Sequence, residues 1–329
     1  MKIGINGFGR IGSCILRRLY ETGNQNPPLN VVAINDPSLS PRNAAYLLAQ
    51  DSLYGSIPDR VDVRDTAIIV NQHEIACSQD DHPSWGGIKD IDVAINASGC
   101  GLSLEGITVI HTDYNPNSDI TLVFGFNQDS YNPARHHIIS AGTCTGNALA
   151  PIIKVIDEKY GIENAHFASV HPPLSDQKVT DSPHEKYHLG RRALDTIITT
   201  DSGIEKSVSL LFPQLKGKIS GIHHRVPVRG SLIDATFFIR KQATIEDVNL
   251  LLKEASQHDG EVVGYCKGIF GHPKVSSDFV KDPHAVIVSS LHTQARGNQV
   301  SLVLYHDPEW GYVSNLIRLL NHISGVKNA

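Results

Sequence analysis

The chain has 329 residues, of which 40% are apolar and 19% are charged, and its formal net charge is −5. This composition is typical of a globular protein with room for two domains of ordinary size. The negative charge offers no basic field, so we expect no binding to nucleic acid or to an anionic membrane surface. No apolar run reaches the length of about 18 residues that a transmembrane helix needs.

Cysteine usage and the N-terminus favour a cytoplasmic location. The cysteines are odd in number and widely scattered, which fits a reducing compartment better than a disulfide framework. Met1 and Lys2 lead directly into an apolar strand, so we expect no signal peptide. None of the 17 histidines lies in a metal-binding spacing pattern, and we predict no metal site. The five cysteines are Cys14, Cys77, Cys100, Cys144 and Cys266.

The N-terminal segment has the element order of a dinucleotide-binding unit. Lys2–Ile5 is a short apolar strand, and the glycine-rich loop Gly7–Gly12 follows it. A helix comes next, with apolar residues at helical spacing, and Thr22–Asn24 predicts its end. The second strand, Val31–Asp36, carries an acidic residue at its end. A strand, a glycine turn, a helix, a strand and an acid in this order predict a dinucleotide site.

The residues of this loop have distinct predicted roles. Gly7 permits the tight turn, Gly9 allows the backbone to approach a pyrophosphate, and Gly12 allows close packing of helix on strand. Free N–H groups at the helix N-terminus attract the phosphates. Asp36 accepts hydrogen bonds from ribose hydroxyls and repels a 2′-phosphate, so NAD is favoured over NADP; an ordinary glycine turn is the alternative. The predicted cofactor-binding residues are Gly7, Gly9, Arg10, Ile11, Gly12 and Asp36.

Further apolar segments predict an α/β fold. In the first half they continue a Rossmann-type doubly wound sheet, with a hairpin turn at Asn71–Gln72. In the second half, alternating segments predict an α+β domain with a mixed, mainly antiparallel sheet. The predicted strands are Ile68–Val70, Glu74–Ala76, Asp92–Asn96, Ile107–Ile110, Ile120–Val123, Ile138–Ser140, Phe167–His171, Gly221–Pro227, Leu232–Ile239, Ala285–Ser289 and Val300–Tyr305.

Two domains are predicted from this organisation. Residues 1–143, completed by a C-terminal helix over 311–329, form the NAD-binding domain, and residues 144–310 form the catalytic domain. Ile245–Ala255 is an amphipathic helix with Thr244 as its N-cap. Residues 172–196 are polar and without strong periodicity, so we expect a long ordered loop that serves function or an interface.

Cys144 lies in the most informative stretch of the chain. It follows a predicted strand and stands between Thr143 and Thr145, whose hydroxyls can hold a small anion. We place a helix roughly over residues 148–160, and a cysteine near a helix N-terminus has a depressed pKa. Alone, however, Cys144 is as readily a small buried hydrophobic residue.

Taken together, these motifs resemble the glyceraldehyde-3-phosphate dehydrogenase family over essentially the whole chain. Parts of the second half are similar to its erythrose-4-phosphate dehydrogenase branch, namely Tyr160–Glu163, Asp176–Gln177, Val248–Leu252, Asp278–Phe279 and Asp282–His284. The segments that carry the family resemblance are Ile5–Gly12, Asn35–Pro37, Asp51–Gly55, Tyr131–Pro133, His137–Ser140, Cys144–Pro151, Arg225–Pro227 and Glu309–Tyr312.

The resemblance implies an NAD-dependent oxidation of a phosphorylated aldehyde. Cys144 matches the nucleophile that forms a thiohemiacetal and then a thioester, and His171 matches its partner base. An imidazolium beside the sulfur would hold the thiolate, and a neutral imidazole would take the proton of the thiohemiacetal. Without the family resemblance, we would interpret His171 as a histidine at the end of a strand whose hydrogen bonds are satisfied by its surroundings. The resemblance also implies a homotetramer.

The resemblance further implies binding sites for the substrate phosphate and for inorganic phosphate. Arg225 matches an arginine shared by these sites, with an ordinary surface arginine as the alternative. Arg191 matches a family arginine that serves loop packing as readily as substrate. The implied phosphate-binding residues are Thr143, Thr145, Ser202, Gly203 and Arg225.

Several positions depart from the family pattern. Leu174 replaces a threonine for the substrate phosphate, as in the erythrose-4-phosphate branch, and Pro308 replaces the asparagine that holds the nicotinamide carboxamide. Gly146 and Ala148 replace a threonine and a cysteine, and the region 99–114 is altered. We predict conversion of glyceraldehyde 3-phosphate, phosphate and NAD to 1,3-bisphosphoglycerate and NADH. The alternatives are an erythrose-4-phosphate dehydrogenase that uses water, and a diverged nucleotide-binding or interaction paralogue with weak catalysis.

Overall fold

The structure, a computed structural model, describes residues 1–20, 29–57, 61–83, 85 and 91–327. The predicted helix end at Thr22–Asn24 lies outside these residues. The chain forms two compact units, Met1–Thr143 together with the last helix from Leu316 onward, and Cys144–Asn315. In the described parts of the chain, no helix is long and apolar enough to cross a membrane. The functional division into an NAD-binding and a catalytic domain stays a prediction.

The first unit is built on a wide, mostly parallel sheet. Its elements are β1 (Lys2–Asn6), α1 (Arg10–Tyr20), β2 (Asn30–Asn35), α2 (Pro41–Ala49), β3 (Gln50–Asp51), β4 (Gly55–Ser56), β5 (Val61–Arg64), β6 (Ala67–Val70), β7 (His73–Ser78), β8 (Val93–Asn96), β9 (Thr108–His111), β10 (Ile120–Thr121) and β11 (Ile138–Ser140). The order in the main sheet is β10-β11-β9-β8-β1-β2-β7-β6-β5.

The winding of this sheet positions the cofactor loop. All pairings from β10 to β7 are parallel, and β1 lies between β2 and β8. The chain therefore winds outward from β1 in both directions, and such a switch point is where open α/β sheets bind ligands. The predicted doubly wound sheet is confirmed.

The far edge of the sheet is antiparallel. The predicted hairpin is confirmed: β6 and β7 pair across Asn71 and Gln72, which have φ angles of 49° and 72°. Two residues with positive φ match the twist of the strands they join. The edge strand β5 was missed. The predicted strand over 120–123 ends at Thr121, because the N–H of Val123 donates to the side chain of Asn127 at 2.8 Å.

The second unit is a mixed sheet with helices. Its elements are α3 (Cys144–Tyr160), β12 (Ile162–His171), β13 (Ile198–Asp201), α4 (Ile204–Leu211), β14 (Ile219–Arg225), β15 (Ser231–Ile239), α5 (Ile245–His258), β16 (Val263–Cys266), β17 (Val286–Ser289), β18 (Gln294–Arg296) and β19 (Gln299–His306), followed by α6 (Trp310–Lys327). The order is β13-β14-β12-β15-β19-β17-β16, and β18 also pairs with β19.

Most pairings in this second sheet are antiparallel, as predicted. The exceptions are β12 with β14 and β16 with β17, which are parallel. Along β12 the residues Ala165, Phe167, Ser169 and His171 are buried and alternate with more exposed ones. Helices α3 and α4 pack against β12 and β14. One face of the sheet is thus a covered core face, and its last buried position on β12 is His171.

Local sequence signals account for the helix boundaries in this unit. Thr244 caps α5 as predicted, because its hydroxyl accepts from the N–H of Asp247 at 3.1 Å and the Asp247 carboxylate accepts from the N–H of Thr244. Helix α3 begins at Cys144 itself, earlier than the predicted start near residue 148. Residues 172–197 are irregular apart from one 3-10 turn at Tyr187–Gly190.

Candidate active site

The glycine loop between β1 and α1 has the shape of a phosphate cradle. Gly7 has a φ of 89°, and a Cβ there would lie 2.6 Å from the backbone nitrogen of Ser98. A Cβ on Gly12 would lie 2.1 Å from the carbonyl oxygen of Gly7, so neither position tolerates a side chain. A Cβ on Gly9 would meet nothing within 4 Å. The loop is therefore closed on its protein side and open at Gly9, which fits a pyrophosphate.

Asp36 stands directly after β2, with its carboxylate tied to this loop. One oxygen accepts from the N–H of Phe8 at 2.9 Å, and the other accepts from the N–H and the hydroxyl of Ser38 at 3.0 and 2.8 Å. Burial alone would raise the pKa of Asp36, but these hydrogen bonds bring it below its usual value. Asp36 is thus a negative acceptor at neutral pH, as the ribose-binding role requires.

The neighbouring predicted residues Arg10 and Ile11 begin α1. Arg10 donates to Asp51 at 2.5 Å, and its guanidinium lies 5.6 Å from the ring centroid of Tyr54. The Asp51 carboxylate also accepts from the N–H groups of Leu53 and Tyr54. Ile11 is partly exposed. Arg10 therefore organises the loop after α2, and its contact with a cofactor stays a prediction.

A ladder of buried amides beneath the loop was missed by the sequence analysis. Asn35 donates to Asn6 at 2.9 Å, Asn6 donates to Asn96 at 2.9 Å, and Asn96 pairs with Nδ1 of His111 at 3.1 Å. His111 completes the ladder through Nε2 and the carbonyl oxygen of Leu102 at 3.0 Å. The ladder joins the carboxyl ends of β2, β1, β8 and β9. Its signal in the sequence is the Ile-Asn pair that ends each of the strands β1, β2 and β8.

Cys144 and His171 come together in the second unit. Cys144 is the first residue of α3, His171 is the last residue of β12, and their Sγ and Nε2 atoms are 3.7 Å apart. Nδ1 of His171 lies 2.7 Å from the carbonyl oxygen of Pro172. A carbonyl accepts only, so Nδ1 carries the proton, and the lone pair of Nε2 faces the sulfur. This is the orientation in which His171 can take a proton from the thiol.

The electrostatics of this pair differ from the prediction. Burial raises the pKa of Cys144, and the hydroxyl of Thr145 and the positive charge of Arg225 offset this only in part. Burial and then Arg225 lower the pKa of His171 to about 4. The predicted depression of the thiol pKa is therefore wrong, because burial outweighs the helix N-terminus, and the lowered pKa of His171 disfavours an imidazolium beside the sulfur. Burial therefore disfavours the charged form of both groups.

Arg225 lies next to His171 because β12 and β14 pair in parallel with these two residues opposite each other. Its charge acts on the thiol and also faces Asp176. Thr145 is buried, with its hydroxyl 3.9 Å from the sulfur, and Thr143 directly precedes Cys144 in the chain. The structure thus brings a cation and a hydroxyl donor to the thiol, in a set able to hold an anion.

Ser202 and Gly203 lie between the end of β13 and the start of α4. A Cβ on Gly221 would come within 2.8 Å of the Ser202 hydroxyl, so Ser202 stands beside that residue of β14. Gly221 precedes Arg225 by four residues, a separation of about 13 Å along a strand. The structure does not bring Ser202 and Gly203 together with Arg225, and their role in phosphate binding stays a prediction.

Four of the residues that depart from the family pattern have a defined structural setting. Pro308 stands inside the cap of α6, where Oδ1 of Asp307 accepts from the N–H groups of Glu309 and Trp310. Leu174 is 44% exposed after β12. Gly146 and Ala148 are buried in the first turns of α3.

Two further histidines near the pair were missed by the sequence analysis. His306 ends β19, and His223 lies two residues before Arg225 on β14. Burial lowers the pKa of His223 to about 4 and that of His306 to about 3. With His171, three histidines on this face are therefore neutral in the folded protein at neutral pH.

We predict that these three histidines make the protein labile to mild acid. The unfolded chain binds their protons near pH 6.5 and the folded chain only near pH 4 or below, so the free energy of unfolding is highest above pH 7 and falls as pH decreases from 6.5. Urea unfolding at pH 7.5 and pH 5.5 measures the change. His306→Phe should flatten the dependence, whereas replacement of the exposed His258 by Gln should not. Equal stability at both pH values contradicts the prediction.

Two family models match the chain. The model described as "Glyceraldehyde 3-phosphate dehydrogenase, NAD binding domain" matches residues 1–104. The model described as "Glyceraldehyde 3-phosphate dehydrogenase, C-terminal domain" matches residues 143–307. The matched segments include the glycine loop and Asp36 in the first case, and Cys144, His171 and Arg225 in the second.

Curated relatives agree with the family models. A protein named glyceraldehyde-3-phosphate dehydrogenase from Priestia megaterium is 36% identical over 342 aligned residues, which cover 98% of each chain. The protein of that name from Geobacillus stearothermophilus is 35% identical with the same coverage. A cytosolic one from Chlamydomonas reinhardtii is 35% identical over 98% of this chain and 97% of its own. The resemblance drawn from the motifs is confirmed: the chain belongs to the glyceraldehyde-3-phosphate dehydrogenase family of NAD-dependent oxidoreductases.

Proposed function

We propose that the protein oxidises glyceraldehyde 3-phosphate, with phosphate and NAD, to 1,3-bisphosphoglycerate through a thioester on Cys144. The observation that carries the proposal is the 3.7 Å approach of Nε2 of His171 to the sulfur, with Nδ1 committed to the Pro172 carbonyl. A base held in one tautomer beside a thiol is the arrangement that activates a nucleophilic cysteine. The relatives with this activity in their names support the choice of substrate.

Acylation begins with a proton transfer inside the pair. Nε2 of His171 takes the thiol proton as Sγ of Cys144 forms a bond to the aldehyde carbon, and the carbonyl oxygen becomes an alkoxide. The imidazolium returns the proton to this oxygen, which gives a neutral thiohemiacetal. Because burial disfavours both charges, the ion pair exists only during the transfer, with the positive charge of Arg225 stabilising the thiolate.

Oxidation and release use the same base. NAD, when bound, supplies the hydride acceptor. His171 removes the hydroxyl proton of the thiohemiacetal as its carbon reaches the thioester level. Phosphate oxygen then attacks the thioester carbon, the bond to Sγ breaks, and the imidazolium protonates the leaving thiolate. Arg225, Thr145 and Thr143 supply positive charge and hydroxyl donors for the phosphate groups, and Ser202 with Gly203 remains a proposed further contact.

The glycine loop is the proposed site for NAD. The open position at Gly9 and the start of α1 at Arg10 and Ile11 receive the pyrophosphate, as helix N-termini do. Gly7 and Gly12 keep the loop close to the sheet. The ionised Asp36 accepts from the ribose hydroxyls.

Erythrose 4-phosphate is a second candidate substrate, because of Leu174. This residue is apolar and 44% exposed where the family pattern has a threonine for the substrate phosphate. In that reaction water, rather than phosphate, releases the acid from Cys144.

Assays with both sugars, with and without phosphate, distinguish the candidates. With glyceraldehyde 3-phosphate we expect steady NADH formation only when phosphate is present, and a burst of one NADH per active site without it. Steady NADH formation from erythrose 4-phosphate without phosphate identifies water as the acyl acceptor and favours that sugar as the substrate. No NADH above background with either sugar overturns the proposed function.

We predict that Cys144→Ser and His171→Asn separate the two roles. Loss of the nucleophile should abolish turnover, whereas loss of the base should lower kcat by about 100- to 10,000-fold with a small change in KM. Steady-state kinetics with glyceraldehyde 3-phosphate measure both. His224→Asn, on the opposite face of β14, is the matched control and should retain activity. A Cys144→Ser protein with undiminished kcat contradicts the mechanism.

We further propose a homotetramer in the cytoplasm. Large apolar side chains are exposed between β12 and β13, among them Val179, Tyr187 at 89% and Ile197 at 66%. Contacts with other subunits would remove this apolar surface from water. The five cysteines are free thiols, which suits a reducing compartment. Sedimentation at micromolar protein tests the assembly, and a single monomeric species contradicts it.

A further inference from the structure

On the same sheet face as His171 lies a group of buried polar atoms without protein partners among the described residues. His306 is 1% exposed, and neither of its ring nitrogens has a hydrogen-bond partner among the described residues. The same is true, within the described chain, of the Ser169 and Thr200 hydroxyls and of Nδ1 of His223. We call these four residues the buried polar cluster.

The strand register brings the members of the cluster together. Thr200 pairs with His223, and His223 pairs with Ser169, so three of them lie side by side across β13, β14 and β12. Residues two apart on a strand share a face. This row therefore lies on the face of His171 and Arg225, one step further into the core. His306 pairs with Ser231 at the start of β15, which places it on the same edge as His171.

Apolar side chains surround the cluster on the sheet. Phe167, Ile233 and Leu304 occupy neighbouring positions of this face and are fully buried. A hydroxyl or neutral imidazole buried among such groups loses its hydrogen bonds with water unless another partner replaces them. A leucine or phenylalanine would fill the same space without this cost. Space filling alone therefore does not account for two histidines here.

Internal water is the ligand whose chemistry fits these atoms. A neutral histidine offers one donor and one acceptor, and each hydroxyl offers both, which matches the two to four partners of a buried water molecule. We propose that the buried polar cluster holds internal water molecules, and that these waters stabilise the charged thiolate–imidazolium form of Cys144 and His171. The proposal rests on the proposed function only in taking Cys144 as the nucleophile.

The bonding of His171 limits how such waters act. Its two ring nitrogens are committed to Pro172 and Cys144, so the waters pass no proton through them. They act as dipoles that turn their oxygens toward the imidazolium while it is charged. Members of the cluster are thus positioning residues and not catalytic ones.

The charges around the pair explain why this stabilisation matters. Among the described residues, α3 contributes Cys144, β14 contributes Arg225 and His223, β19 contributes His306, and the segment after β12 contributes Asp176 near Arg225. Strands β13 and β15 contribute the neutral Thr200 and Ser231. Arg225 favours the thiolate and opposes the imidazolium. Water molecules that can reorient stabilise the imidazolium against the charge of Arg225, and they add no second fixed charge.

The test is the pH dependence of Cys144 alkylation in the full-length protein without cofactor or substrate. Iodoacetamide reacts with the thiolate, and mass spectrometry of the Cys144 peptide separates this reaction from that of other cysteines. In the double variant His223→Leu/His306→Leu we expect the midpoint of the rate profile to rise by about one pH unit and the rate at pH 7 to fall about tenfold. Profiles that coincide with the unmodified protein overturn the proposal.

Two further variants keep the result interpretable. His306→Gln retains a donor and an acceptor, so its alkylation profile should stay near that of the unmodified protein. This variant can be measured even if the leucine variant fails to fold. A His306→Gln profile shifted as far as the leucine double variant overturns the role of water. His224→Leu, whose side chain pairs with Thr199 at 3.0 Å on the other face of β14, is the matched control and should leave the profile unchanged.

Alkylation separates this proposal from the proposed function. It needs no turnover, so a shifted profile in a protein that oxidises neither sugar supports the cluster and refutes the dehydrogenase activity. A protein that oxidises either sugar, but whose leucine variant has the same alkylation profile as the unmodified protein, supports the dehydrogenase activity and overturns the role of the cluster. A crystal structure of the unmodified protein in which His306 and His223 bond only to protein groups also overturns the proposal.

Discussion

The parallel pairing of β12 with β14 is the constraint on which the candidate active site depends. In a sheet whose other pairings are mostly antiparallel, it brings the carboxyl ends of two strands to the same edge, with His171 and Arg225 opposite each other. Helix α3 begins at this edge with Cys144. A base, a cation and a thiol far apart in the sequence therefore meet at this edge, and the first residue after β12, Pro172, holds the ring of His171 through its carbonyl oxygen.

Burial at this edge determines how the site works. It raises the pKa of Cys144 and lowers that of His171, so it disfavours the charged forms of both groups that catalysis needs. Arg225 favours the thiolate and disfavours the imidazolium. The proposed internal waters supply what the fixed charges lack, which is stabilisation of the positive ring. The same burial that makes the pair neutral also makes the fold sensitive to acid.

The first unit holds the glycine loop in place while leaving the outer side of the loop open. Gly7 and Gly12 let the loop lie against the sheet, and the hydrogen bond from Phe8 to Asp36 ties the loop to the end of β2. The amide ladder from Asn35 to His111 supports the strand ends from below. These contacts are satisfied within the protein, so the cradle exists before a ligand binds.

Local signals in the sequence determined much of the fold. The glycine loop with Asp36, the alternation of the second half and the Thr244 cap each depend on residues close together in the chain, and the motif around Cys144 pointed to the family. Nonlocal packing decided the rest. Only the register of β12, β14, β15 and β19 shows that His223 and His306 lie on the same sheet face as His171, because strand pairing joins residues more than 50 positions apart. Only burial decides that the thiol pKa is raised where the helix N-terminus alone predicts the opposite.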